Sequence, residues 1–193
     1  MSGHGFHVHG PHDHEVEHAA HSGDNFSGKI AVTTAILATV GALFGYQAGD
    51  TQNNAAMYKN NAAIKKTEAS NRWNYYQAKS NKQNLAELAT SLPGVDIDKY
   101  KADVARYQKE KEEIKHEADA LDKESLEWDK KSEEAMHQHH QWALAMTAEQ
   151  IAISLAAITL LTRKKWLAYL AYSVAIVGVI LGIMAWLHIG IGA

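Results

Sequence analysis

The chain has 193 residues, 19 Lys and Arg against 22 Asp and Glu, a formal charge of −3 at neutral pH and no cysteine. So even a charge balance lacks the basic footprint of a nucleic-acid binder, and the missing cysteine removes disulfides, thiolate catalysis and cysteine-ligated zinc or iron–sulfur centres. Proline occurs only at Pro11 and Pro93, which leaves two long stretches free of the strongest helix breaker.

Residues 1–28 read as a polar, histidine-rich tail with a short amphipathic helix. The opening "MSGHGFHVHGPHDHEVEH" lacks the apolar core of a secretory signal. Within it, "HEVEH" (His14 to His18) has the H-E-x-x-H spacing of zinc peptidases, in which two histidines one helical turn apart hold the metal and the glutamate activates water. A tail with histidine at so many positions among scattered acids produces that pattern by chance, so peptidase activity is set aside. On a helix His14, His18 and His21 share a face with Glu17 beside them, and neutral imidazoles suit zinc, nickel or copper. A divalent transition metal held without catalysis is the expectation there. Its competitor is a solvated tail that gains charge below about pH 6.5.

The first apolar window, "IAVTTAILATVGALFGYQAG", predicts a transmembrane helix over 29–49, since about 20 residues at about 1.5 Å each cross a bilayer. Gly41, Gly45 and Gly49 recur every four residues on it, a stripe along which another helix can approach closely. Residues 50–142 then predict a helical hairpin outside the membrane, with its turn at 92–97. Ala55, Ala62, Ala69 and Tyr76 recur every seven residues on the first arm. On the second, Tyr100, Val104, Tyr107, Lys111, Ile114, Ala118, Leu121, Ser125, Trp128, Ser132, Ala135, His139, Trp142, Met146 and Glu149 follow in threes and fours, a coiled-coil-like seam. Between the arms lies "SLPGVDID". Pro93 and Gly94 stop one helix there, and Asp96 or Asp98 can cap the next. Each arm should be roughly 60 to 70 Å long at helical rise. The first arm is basic and the second acidic around "EKEEIKHEADALDKE", so opposite signs favour pairing. Trp73, Tyr76, Trp128 and Trp142 form an aromatic stripe that reads as a packing or interaction surface.

A second transmembrane helix is predicted over 143–162, a basic loop at 163–165, a third helix over 166–188 and a short tail at 189–193. Gly178 and Gly182 repeat the small-residue spacing on the third helix, and Trp166, Tyr169, Tyr172 and Trp186 sit at its ends, where amphipathic rings favour the headgroup layer. The basic loop Arg163 to Lys165 assigns that side to the cytoplasm. The N-terminus is then cytoplasmic too, and the hairpin extracytoplasmic. The second helix carries Glu149 and Gln150 inside an apolar stretch. Because Glu149 shares the seam with Trp142 and Met146, its carboxylate should face protein, about two turns below the surface at the depth of Tyr46 and Gln47.

The stretch "NRWNYYQAKSNKQNLAELA" (Asn71 to Ala89) resembles the W-x-Y-Y-Q-A-K-S signature of a bacterial membrane family known as domain-of-unknown-function family 4337, with Trp73, Tyr75, Tyr76, Gln77 and Lys79 at the matching positions. The resemblance covers most of the chain: a histidine-rich start, one span, this signature, a charged helical stretch, "HQHHQW", and two closing spans about a basic loop. It implies a multi-pass protein of the bacterial inner membrane and supplies no catalytic residues.

These features predict an all-α membrane protein of three transmembrane helices with a long antiparallel hairpin between the first and second. The leading expectation for function is a non-enzymatic structural or interaction scaffold in the lipid bilayer. It would be homo-oligomeric through its hairpin and glycine-striped spans, with room for a protein partner on the hairpin and no nucleic acid. Two alternatives accompany it: a proton or cation pathway lined by Glu149 in an oligomer, and metal binding or sensing by the tail.

Overall fold

A computed structural model describes residues 25–189. Among the described residues the chain is entirely helical, in three helices: α1 (Asn25–Ala89), α2 (Ile97–Thr162) and α3 (Lys165–Trp186). Each contains a segment long and apolar enough to cross a membrane. The metal site expected at His14, Glu17, His18 and His21 lies outside the described residues, whereas residues 25–28, expected to close the tail, already belong to α1.

The helices are long because nothing in them stops propagation. No proline interrupts them, and hydroxyls within the apolar segments turn back onto their own helix. Thr34 Oγ1 donates to the Ile30 carbonyl at 2.8 Å and Thr159 Oγ1 to the Leu155 carbonyl at 2.8 Å, so neither polar group costs an unmade bond in an apolar setting. α1 ends where Thr90 Oγ1 and Ser91 Oγ donate to the Glu87 and Leu88 carbonyls, satisfying acceptors that lack a further turn of helix. Gly94, at φ +80°, takes the left-handed conformation that the reversal requires. Asp96 caps α2: its Oδ1 accepts the Lys99 backbone N–H at 3.1 Å. The connection between α2 and α3 is tighter than expected. It comprises residues 163 and 164, with Arg163 left-handed at φ 55° and Lys165 already helical.

The described residues divide into two compact units, one of residues 53–135 and one that joins the residues before 53 to those after 135. In the first, α1 and α2 run antiparallel, and their contact line keeps strict register. Ser125 Oγ donates to the Ala62 carbonyl at 2.9 Å and Ser132 Oγ to the Ala55 carbonyl at 2.8 Å, so seven residues forward on one helix match seven back on the other. A side chain as short as serine reaches a facing backbone only if the helices lie very close, which Ala55, Ala62, Ala69 and Ala118, all buried, permit. Cations of α1 flank the seam on one side and anions of α2 on the other: Lys59 pairs with Asp129, Lys65 with Glu124, Lys66 with Asp122, Arg72 with Glu117 and Lys79 with Glu110.

In the second unit α1, α2 and α3 pack in layers. Ile30, Ala156, Ala168 and Ala171 form one; Leu37, Ala152 and Ala175 the next; Ala48, Trp142 and Ala185 another. The repeated choice of alanine draws three helix axes together, and Phe44 meets Trp142 at a tilt with ring centres 5.6 Å apart, the two filling the space that alanine leaves.

Candidate functional site

Between the Leu37 layer and the Ala48 layer sits a polar one, made by Glu149 of α2 between Gly41 of α1 and Gly178 of α3. Glu149 has 0% exposure, and neither carboxyl oxygen has a hydrogen-bond partner among the described residues. The two glycines make its seat. A Cβ placed on Gly178 would lie 2.8 Å from Glu149 Oε1 and 3.2 Å from the Ala148 Cβ, and one on Gly41 would lie 3.4 Å from the Glu149 Cβ. Any larger residue at Gly178 therefore displaces the carboxyl.

The surroundings of the acid are uncharged. The apolar stretch of α1 (residues 30–49) offers only Tyr46 as a titratable group, that of α3 (166–187) only Tyr169 and Tyr172, and that of α2 (143–162) only Glu149 itself. Tyr46 and Tyr169 are each 72% exposed, and Tyr172 packs in the layer around Ile30. No lysine or arginine lies within these three stretches to balance a carboxylate.

Glu149 was expected near the depth of Tyr46 and Gln47, about two turns below the surface, where water or a phenol could satisfy it; the residue facing it on α1 is Gly41, more than one turn along that helix from Tyr46. On its own helix Glu149 stands about 9 Å from the start of the apolar stretch at 143, at about 1.5 Å per residue. The seam carries the acid inward, as its heptad position requires. Gln150, the adjoining polar residue, is exposed.

The other glycines are also filled from within the chain. A Cβ on Gly45 would meet Met146 Sδ at 2.9 Å, and one on Gly182 would enter the Phe44 ring, whereas Gly49 faces open space. Four of the five glycines expected to admit a neighbouring helix thus admit a helix of the same chain. The aromatic stripe likewise turns inward. Trp73 donates Nε1–H to Asp122 Oδ2 at 3.0 Å and meets Tyr76 edge-on, Trp128 meets Tyr58 at a tilt, and Trp142 is buried in its layer.

His139 adds a feature that spacing alone did not disclose. Its Nδ1 lies 2.8 Å from the Ala48 carbonyl, so this nitrogen carries the proton and donates, as Ser132 does seven residues earlier. The His140 ring lies beside it, tilted, with ring centres 5.5 Å apart. Among the described residues no group of three or more His, Cys, Asp or Glu is arranged to hold a metal ion.

Comparison with known proteins gives one family: the model of the family described as a domain of unknown function, DUF4337, matches residues 26–188. No curated protein and no solved structure matches the chain.

Proposed function

From a chain that belongs to the DUF4337 family, we propose a non-catalytic membrane scaffold that assembles with further copies of itself. The three apolar segments anchor it in a bilayer, taken from the family resemblance to be the bacterial inner membrane. The charged residues 53–135 stand outside, with the N-terminus on the cytoplasmic side. The observation that carries this reading is a line of apolar residues left uncovered on the outer side of α1. Met57, Ile64 and Leu85 fall at multiples of seven residues and are between 48% and 66% exposed, and Leu92, just past the end of α1, is exposed as well. Asn71 and Ala78 complete the line.

A seven-residue repeat that is already satisfied on one side of a helix by α2 and repeated on another side calls for a second helix. Copies inserted in one membrane share orientation, so their α1 helices meet parallel and in register, each residue of the line beside its own counterpart about a two-fold axis. The four aromatic residues of the stripe and four of the five glycines are engaged within the chain, which leaves this line as the supported contact between copies.

The absence of native cysteine makes the test direct. Ile64→Cys and Leu85→Cys should each give a disulfide-linked dimer in native membranes under mild oxidation, whereas Lys123→Cys, on the exposed side of α2, should not. A strictly monomeric protein by native mass spectrometry, with no linkage at 64 or 85, overturns the reading.

A further inference from the structure

We propose that Glu149 is a membrane-buried proton-binding site, in which Gly41 and Gly178 seat the neutral carboxyl and release of its proton requires α3 to separate locally from α1 and α2. The site is complete within one chain, because the acid is fully enclosed by three helices of the same molecule. It does not rest on self-association.

The ligand is argued by elimination at the site. A metal cation needs several oxygen ligands at fixed distance, and the seat offers one carboxyl flanked by two glycines and alanine methyls. A proton needs only the carboxyl. Ionised, Glu149 would hold an anion enclosed between apolar layers with no Lys or Arg in any of the three apolar stretches and no donor on either oxygen. The titratable groups on the facing elements are Tyr46, Tyr169 and Tyr172, and Tyr46 and Tyr169 point their rings into the open. On its own element the nearest is His140, more than two turns away in sequence.

When the carboxyl O–H bond breaks, the electron pair stays on Glu149 and the proton passes to water. Water is excluded from the closed seat, so the step needs room, and α3, the shortest of the three helices, is the wall assigned to move: it meets α1 and α2 through alanine and glycine contacts, the Phe44 ring at Gly182 and the bond from Gln141 Nε2 to the Ile189 carbonyl. Proton release and helix separation are therefore one event.

The test uses the full chain in lipid nanodiscs. Infrared spectra at neutral pH should show the carbonyl stretch of a protonated carboxylic acid, shifted by deuterium and absent from Glu149→Gln. Glu149→Asp should move that band rather than remove it, which keeps the assignment should the glutamine variant fail to insert. Raising the pH should extinguish the band reversibly, together with faster hydrogen exchange along residues 167–185. A carboxylate at neutral pH in the folded protein overturns the proposal, as does an acid band that persists wherever circular dichroism shows intact helix. Loss of the band without faster exchange rejects the coupling to helix separation.

Discussion

At the scale of single residues, the unit that holds the apolar segments is governed by what its glycines touch. Gly178 and Gly49 are both helical, yet substitution to alanine should act in opposite directions. A methyl at Gly178 collides with the Glu149 carboxyl and the Ala148 methyl, an overpacking cost of about 1–3 kcal/mol. A methyl at Gly49 meets nothing, so only the gain in helix propensity remains, about 0.5–1 kcal/mol. Thermal unfolding in detergent, followed by circular dichroism, should place Gly178→Ala below the parent and Gly49→Ala above it. Sequence spacing marks both positions as small. Which of them is crowded depends on whether a neighbouring side chain is aimed there, and spacing is silent on that.

At the scale of elements, the antiparallel pair of residues 53–135 combines a close seam with flanking ion pairs, and its pH response follows from those pairs. The hydrogen bond from Lys66, and then that from Trp73, holds the Asp122 carboxyl below its usual range; the bond from Lys79 does the same for Glu110. Carboxylates lowered by folding add stability above their unfolded pKa of about 4, and that stability is lost as the pH falls through the folded value. Lys59, Lys65 and Lys79 are raised, chiefly by hydrogen bonds to Asp129, Glu68 and Glu110. Their contribution is present below about pH 10.4 and is lost as the pH rises through the raised values. Stability should therefore be flat across neutral pH, with an acid limb below about pH 4 that flattens in Asp122→Asn. Added salt should weaken these exposed pairs while leaving the Ser125 and Ser132 bonds intact. Urea unfolding at several pH values checks both.

The seam of this pair was readable from the chain, because a repeat of seven and a helix of 3.6 residues per turn leave one line of contact. Every position from Tyr100 to Glu149 on that line is buried or partly so. Less readable was its chemistry. The serines of α2 dilute the apolar repeat, yet each donates across the seam to an alanine carbonyl, an interaction that exists only once two backbones lie at alanine distance.

At the scale of the whole molecule, the division into two units separates two kinds of cohesion. Residues 53–135 hold together by charge and short side chains across two helices; the remainder holds by alanine and glycine layers across three. The proposed self-association would add a third, carried by the outer line of α1. Replacing Ile64 and Leu85 together by glutamate should shift the protein to monomer in native mass spectrometry, with helix content unchanged, because both side chains are already exposed in the single chain and two like charges would oppose their counterparts. The same pair replaced by methionine should leave assembly in place.

The chain by itself determined its three helices, the reversal at Pro93 and Gly94, and the line along which α1 meets α2. These are consequences of local geometry: proline and glycine act on their own backbone, and periodicity acts through a single helix. Tertiary structure alone decided which residues enclose Glu149, the filling of the glycine stripes from within and the inward turn of the tryptophans. Each of those depends on the axial register of one helix against two others, which is fixed by where a bulky side chain finds a glycine opposite, and no spacing along one strand of sequence records it.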